Sequence, residues 1–319
     1  MKINMKPRVV LFFSVDLIGS TPFKQSCIRN GKRWMTAFIK FIKGFPEDLR
    51  DNTVQEIYNL QRVNRRSGLS ICTLNIPEVW KLIGDEILFK TELETLEQVP
   101  FIMNAFVRTL ADWDDRLTAN EGGIYGDLSC FPKETLPNLG VKGAAWLAGF
   151  PVGNASIEIG SGHEDFLGPS IDLAGRLPAI ASRQRMPLSV ELAYVLVKGV
   201  NHSSLPMTIH NGGSEPFKGM YDGAEYPRFY LCLEGVEGNC DVTPCPPESV
   251  ETLCEQFMRE HDIGNLNIWH MDGQIQQSDI DDYIRQYNTV LERHINDVHV
   301  TVKNDNLRRY LSHIFCTIK

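Results

Sequence analysis

The residues best placed to do chemistry are single acids at the ends of apolar runs. Phe13-Ser14-Val15-Asp16-Leu17-Ile18-Gly19-Ser20-Thr21 carries one carboxylate from a Val- and Phe-rich stretch straight into a glycine turn. A carboxylate so placed suits a divalent cation, and the free backbone N–H groups of Gly19, Ser20 and Thr21, at the start of a following helix, suit an anion such as phosphate. Taken alone, the segment also reads as a plain helix-capping loop. A second acid, Asp85, lies in Lys81-Leu82-Ile83-Gly84-Asp85-Glu86 between two apolar stretches, where Gly-Asp is also ordinary turn chemistry. Asp16 and Asp85 side by side would repel each other and call for divalent cations, and two metals about 3.5 to 4 Å apart serve in-line attack at phosphorus. The third segment runs from Asp165 through Gly168, Asp172 and Ala174-Gly175-Arg176 to Leu177. Asp172 and Arg176, four apart, share a face of the expected helix; an ordinary surface ion pair, worth about 0.3 to 0.5 kcal/mol, is the plain alternative. Ala174 and Gly175 argue for close packing of that helix.

These residues need elements to hold them. Arg8 to Val15 reads as a first strand that ends at Asp16, with Thr21 as N-cap and Pro22 as the first helical residue. Ile28, Met35, Phe38, Ile39 and Ile42 extend a helical stripe from Phe23 to Ile42, which Gly44 and Pro46 are expected to stop. Glu47 to Gly68 is polar and shows no clear pattern. Glu78 to Lys90 reads as a hairpin that puts Asp85 at a strand end. Leu96 to Leu117 is an amphipathic helix, Leu139 to Phe150 and Ser156 to Ile159 a second strand pair, and Gly168 to Ser182 a helix. Leu188 to Lys198 is a short strand leading into a helix, and Pro227 to Glu234 a closing strand. Strands alternating with helices, with hairpins among them, imply an α+β sheet covered on one face rather than a doubly wound parallel sheet. Gly235 to Pro247 has linker composition and mainly helical patterns follow, so the expected division is 1–235 and 236–319.

Taken in order, the three chemical segments resemble the catalytic domain of class III nucleotidyl cyclases. The family's hallmarks are the strand-Asp-loop, the Lys-x-x-Gly-Asp hairpin and the Gly-x-x-x-Asn-x-Ala-x-Arg helix; Phe217-Lys218-Gly219 and Tyr226 to Leu231 echo its closing Lys-Gly and strand. The resemblance spans about Arg8 to Leu233. It implies a ferredoxin-like α+β domain with a largely antiparallel sheet, here followed by a C-terminal helical extension. It implies that Asp16 and Asp85 hold two Mg²⁺ or Mn²⁺ ions, with a backbone carbonyl of Leu17 or Ile18 completing the coordination. Lys81 and Asp165 fall where the family reads the base, Arg176 on the arginine that stabilises the transition state, and Lys218 near the lysine that holds the triphosphate. The family shares its site across a head-to-tail homodimer, metal ligands from one subunit and Lys81, Asp165 and Arg176 from the other. Two positions depart: Asp172 replaces the family's Asn, which puts its ribose-orienting role in doubt, and Ser20 stands where many members carry Phe.

The family's simple base code suits adenine at Lys81 and Asp165. Trp80-Lys81-Leu82-Ile83-Gly84-Asp85-Glu86, Asp172, the long insertion and the helical tail resemble instead the pyrimidine cyclases of bacterial Pycsar antiphage systems. That likeness implies cyclic UMP, or less readily cyclic CMP, made from the nucleoside triphosphate, as a messenger to an effector, with a phage-derived activator. A smaller base needs a pocket filled by protein, and Pro46 to Gly68 with Tyr58 is one source, its plain alternative being a solvated loop. An adenylate cyclase and a catalytically silent cyclase-like dimer are the competing readings.

Composition narrows the partners. The 319 residues hold 40 Asp and Glu against 32 Lys and Arg, a net charge of -8, a poor footprint for long nucleic acid or an anionic membrane. Any polyanionic ligand must be small and locally managed. No apolar run approaches the roughly 18 residues that cross a bilayer, and Lys2, Lys6 and Arg8 before Val9 to Val15 imitate a secretory signal only in part. Eight scattered cysteines fit a reducing cytoplasm. Cys240 and Cys245 with His294 and His299 approximate paired zinc ligands, but the pairs are too far apart for the usual spacing. His261, His270 and His313 read as surface or packing residues, and Cys27 and Cys72 as core residues.

Overall fold

The structure, a computed structural model, describes residues 2–4, 6–31, 34–67, 75–94, 96–119, 139–159, 163–198, 208–233, 241–261, 263, 283–290 and 292. Cys72, Cys130, Cys240, Cys316, His270, His294, His299 and His313 lie outside them, so the zinc reading concerns undescribed residues, while Cys245 is free.

The first long strand, here β2 (Arg8–Ile18) after the short β1 (Lys2–Asn4), is rich in β-branched and aromatic residues and buried almost throughout. It lies between β4 (Glu86–Leu93) and β5 (Gly140–Phe150), antiparallel to both, and β3 (Glu78–Ile83) closes that edge against β4. The run β2, helices, β3, β4, helix, β5 with spatial order β5-β2-β4-β3 is the ferredoxin-like arrangement. Beyond β5 the sheet continues through β8 (Arg185–Leu188), β10 (Glu225–Cys232), β9 (Ile209–Pro216) and β11 (Thr243–Pro244). The fold is α+β with a largely antiparallel sheet, β5 with β8 being a parallel pair. Cys232 is disulfide-bonded, a departure from the expected reduced set.

Alternation along β2 sorts its side chains to two faces. Phe13 meets Phe106 of α3 (Val99–Ala119) at 4.5 Å, on the face covered by α3 and α2 (Met35–Ser67). Phe12 points the other way and packs at 5.1 to 5.6 Å against Trp80, Trp146 and Phe166. Phe166 belongs to β7 (His163–Leu167), which with β6 (Ala155–Ile159) and β1 forms a three-stranded second sheet. The large sheet is therefore covered on both faces over β2, not one, and β6 joins this second sheet instead of pairing with β5.

Several boundaries differ from expectation, each for a physical reason. β2 continues past Asp16 to Ile18 because β5 pairs with it as far as Gly140. The next helix, α1 (Ser20–Arg29), starts one residue before Thr21: Gly19 at φ 76 turns the chain directly from strand to helix without a side-chain cap. Pro22 still sits in the first turn, where its missing N–H leaves no bond unmade. The expected helix from Phe23 to Ile42 is two helices, and Gly44 and Pro46 do not stop the second. Phe41, Phe45 and Leu49 are fully buried at four-residue spacing, and a Cβ on Gly44 would lie 2.7 Å from Trp113. That packing outweighs the roughly 3 kcal/mol a mid-helix proline costs. Pro46 to Gly68 is thus helical through Ser67 rather than a solvated loop, and Tyr58 on it is exposed. The expected helix from Gly168 to Ser182 is broken into α4 (Pro169–Asp172), a 3₁₀ turn (Leu173–Gly175) and α5 (Leu177–Ile180). After α6 (Val190–Lys198), the expected linker contains β11, and α7 (Pro247–Glu260) buries Val250, Cys254, Phe257 and Met258 in the same core.

Glu164 ties the second sheet to β2. It pairs with the buried Arg8, accepts from Lys90 at 2.8 Å and from the Ser156 hydroxyl at 2.5 Å. Burial pushes its carboxyl up, but these hydrogen bonds outweigh it and hold the pKa at about 2. A depressed acid contributes stability that is present above its unfolded value, near 4.5, and lost as pH falls toward 2. Denaturant unfolding across that window should show wild type losing up to about 3 kcal/mol more than Glu164→Gln. Parallel curves for the two proteins would refute this account of the network.

Candidate active site

Asp16 sits near the end of β2, on the same face as Ser14 and Phe12. Its partner across the β5 ladder is Lys142, whose ammonium lies 3.6 Å from its carboxylate. On the other side, β4 pairing ends at Val15 opposite Ile87, so Asp16, Leu17 and Ile18 lie beyond the ladder on that edge. The tight β3–β4 turn, with Gly84 at φ 66, fills that corner with Asp85 and Glu86. Asp85 pairs with Lys24 of α1 at 3.3 Å.

The electrostatics show how close these groups are. Burial raises the Asp16 pKa; Lys142 lowers it and Asp85 raises it again. Glu86 is raised chiefly by burial, with a hydrogen bond from Ser14 opposing and the charges of Asp16 and Asp85 adding. One oxygen of Glu86 is buried with no hydrogen-bond partner. Converging carboxylates with an orphaned oxygen fit a divalent cation, and Lys24 and Lys142 offset part of the charge. No group of three or more His, Cys, Asp or Glu set to hold a metal occurs among the described residues; a cation on Asp16 and Asp85 would need further oxygen donors, such as a backbone carbonyl of Leu17 or Ile18.

The Gly19 turn lies beside Asp16. The Phe23 N–H returns to the Gly19 carbonyl at 3.1 Å, so the N–H groups at Ser20 and Thr21 lead the helix, as an anion cradle needs.

A second pair forms across the two sheets. Lys81 on β3 donates to Asp165 on β7 at 2.8 Å, and its ammonium lies 3.8 Å from the Trp80 ring. Burial raises the Asp165 pKa, but Lys81 and the Phe166 N–H outweigh it and the net direction is down. This leaves a fixed donor and a fixed acceptor side by side, partly exposed.

The third group departs from expectation. Asp172 ends α4 and the backbone breaks before Arg176, so the two form no ion pair; Arg176 instead donates through Nε and Nη2 to the Lys218 carbonyl at 3.2 and 3.0 Å. A Cβ on Gly175 would meet nothing within 4 Å, so that glycine serves no close packing. Gly168, at φ 135, is different: a Cβ there would lie 2.4 Å from Asn154 Oδ1. Asn154 accepts from the Ser170 N–H and donates to the Ser170 hydroxyl, fixing the turn that delivers Asp172.

The structure thus joins Asp16 with Asp85, Lys81 with Asp165, and Arg176 with Lys218. Among the described residues no hydrogen bond or ion pair links one pair to another. Lys24, Lys142 and Glu86 escaped the sequence reading: Glu86 adjoins Asp85, but only cross-strand register and the α1 approach reveal the two lysines.

No family profile and no curated protein matches the sequence. Solved structures similar to the chain include the adenylyl cyclase CyaB from P. aeruginosa, 11% identical, TM-score 0.43, covering 74% of this chain and 97% of that one. The guanylyl cyclase Cya2 is 13% identical, TM-score 0.41, covering 77% and 100%. A bacterial light-regulated adenylyl cyclase is 12% identical, TM-score 0.45, covering 79% and 57%. No helix among the described residues is long and apolar enough to cross a membrane.

Raised acids oppose folding once ionised: their stabilising share is present below the unfolded value, 3.8 for Asp16, and lost as pH rises through the folded one. At pH 7 without metal, Asp16→Asn should melt at or above the wild-type temperature. Mn²⁺ should raise the melting temperature of wild type but not of Asp16→Asn or Asp85→Asn; an equal Mn²⁺ shift in all three would remove these acids from the metal site.

Proposed function

We propose that this chain is a class III nucleotidyl cyclase, a metal-dependent lyase that converts a nucleoside triphosphate to the 3′,5′-cyclic nucleotide and pyrophosphate. The observation that carries it is Asp16 and Asp85 brought together from a strand end and a hairpin tip beside the Gly19 helix start. Mg²⁺ or Mn²⁺, two per site, would acidify the ribose 3′-hydroxyl and neutralise the triphosphate. Asp16 and Asp85 hold that charge, with carbonyl help from Leu17 or Ile18. The N–H groups of Gly19, Ser20 and Thr21 face phosphate oxygens. Lys81 and Asp165 present a donor and an acceptor to the base edge, and Asp172 meets the ribose as an acceptor where the family has an amide. As the 3′-oxygen attacks the α-phosphorus and pyrophosphate leaves, Arg176 offsets the growing charge on the equatorial oxygens and Lys218 holds the departing phosphates.

The working unit in this reading is a homodimer with composite sites. Its support is the apolar exposure of Val79, Leu82 and Ile83 on the edge strand β3, beside Ile159 and Leu167 of the small sheet. The substrate is UTP ahead of CTP, and the cyclic pyrimidine nucleotide serves as a cytoplasmic antiphage messenger, with a phage-derived activator and a nucleotide-gated effector. The support is the likeness of the Trp80 to Glu86 segment and Asp172 to the pyrimidine cyclases, and a lysine donor for a uracil carbonyl. The Lys81–Asp165 pair also favours a second reading, adenylate cyclase, since adenine offers an amine to Asp165 and a ring nitrogen to Lys81.

Purified protein incubated with each of four nucleoside triphosphates and Mn²⁺ should make mainly cyclic UMP. Cyclic AMP as main product would replace the pyrimidine reading, and no product from any of the four would leave a silent nucleotide-binding dimer. Arg176→Ala should lower kcat by about 10² to 10³ while its thermal melt stays near wild type; a change under about threefold would remove Arg176 from the transition state.

A further inference from the structure

The turn carrying Lys218 is held in an unusual backbone. Between β9 and β10, Tyr221 and Asp222 are consecutive non-glycine residues with φ 48 and φ 52, flanked by Gly219 at φ 77 and Gly223 at φ 82. Side chains rarely adopt that region, and such geometry persists only where the surroundings over-determine it. Here the surroundings are aromatic. Phe217 stacks on Tyr226 at 4.6 Å and Tyr221 on the same ring at 5.6 Å. Tyr226 is fixed in turn, its hydroxyl accepting from the Val190 N–H at 2.9 Å.

The outer side of the cluster comes from the C-terminal segment. Phe257 of α7 meets Tyr221 and Tyr226 edge-on, both at 5.2 Å. His261, just past α7, lies 4.5 Å from Phe257 and 5.4 Å from Tyr221. Ring contacts therefore run from α7 to Tyr221, and the backbone of the same turn leads from Tyr221 back to the Lys218 carbonyl, the one that Arg176 grips with two hydrogen bonds. The rest of α7 docks without these rings: Val250, Cys254 and Met258 are buried, and Lys198 of α6 pairs with Glu251 at 2.6 Å.

We propose that Phe257 and His261 are positioning residues for catalysis: by clamping Tyr221 they hold the strained turn and so set the place of Lys218 and Arg176. The inference rests on the reading that these two side chains act on the triphosphate. It makes α7 part of the active-site framework, through which any displacement of the C-terminal segment would reach the transition-state arginine. Edge-to-face ring pairs give the clamp direction as well as burial, which an aliphatic contact would not supply.

The test compares wild type with Phe257→Leu, His261→Ala and His261→Phe by amide hydrogen exchange and steady-state kinetics with Mn²⁺. Amides of 217–224 should exchange about tenfold faster in Phe257→Leu and His261→Ala while β2 and β5 amides stay unchanged, which separates loosening of the turn from general destabilisation. kcat should fall about tenfold with KM within about threefold, the signature of a misplaced transition-state contact. His261→Phe, which keeps a ring, should restore both. Unchanged exchange in 217–224 would overturn the proposal, as would a kcat loss that His261→Phe fails to rescue. Wild type that forms no cyclic nucleotide fails the cyclase reading instead; exchange, with binding of 3′-deoxy-UTP, then decides whether α7 holds the turn.

Discussion

Everything in this molecule is referred to a strand that has no free face. Phe12 and Phe13 are both fully buried, on opposite sides of β2, and each contributes about 1.5 to 3 kcal/mol by leaving water. A strand so clamped cannot slip, because a one-residue shift would exchange its two apolar sets. Asp16, four residues beyond Phe12, therefore has a fixed position and a fixed face. The same alternation that puts Phe12 against Trp80 and Trp146 brings Ser14 beneath Glu86 and aims Asp16 at the corner filled by the β3–β4 turn.

Acid density is the second constraint. The chain carries a net charge of -8, yet around Asp16, Asp85 and Glu86 the fold places Lys24 and Lys142. Local cations, not the overall balance, decide whether an anionic ligand is tolerated at this corner. Burial raises Asp16 and Glu86, so the corner holds carboxylates at a cost that a divalent cation would relieve. Glu164 is the opposite case: it accepts from Asn4, Arg8, Lys90 and Ser156, and its carboxyl is depressed. One face of the sheet thus carries a satisfied structural acid at one end of β2 and unsatisfied acids at the other.

Local chemistry made some elements legible. The Gly84-Asp85 turn was readable because a two-residue hairpin needs those residue types and needs nothing from elsewhere. The strand from Arg8 was readable from its Val- and Phe-rich run and the helix near Leu96 to Leu117 from periodicity, and strands alternating with helices, with hairpins among them, already implied an α+β sheet. The length of α2 was not readable: Gly44 and Pro46 are local stop signals, and Trp113 and Phe106, which overrule them, are far along the chain. Asp172 and Arg176 misled for the converse reason, since a spacing of four has meaning only within an unbroken helix, and Pro169 and Pro178 flank a chain that turns three times.

The sequence by itself determined which residue types can meet a cation and a phosphate, and that Asp16 and Asp85 each end an apolar run, because strand burial and turn propensity are encoded within a few neighbours. Tertiary structure alone decided that those two acids share a corner with Lys24, Lys142 and Glu86. It alone decided that Lys81 reaches Asp165 across two sheets, and that Arg176 turns from Asp172 to the Lys218 carbonyl. Each of these joins segments distant in the chain, and their juxtaposition follows from sheet order and register, which the packing of both faces of β2 selects and no local pattern records.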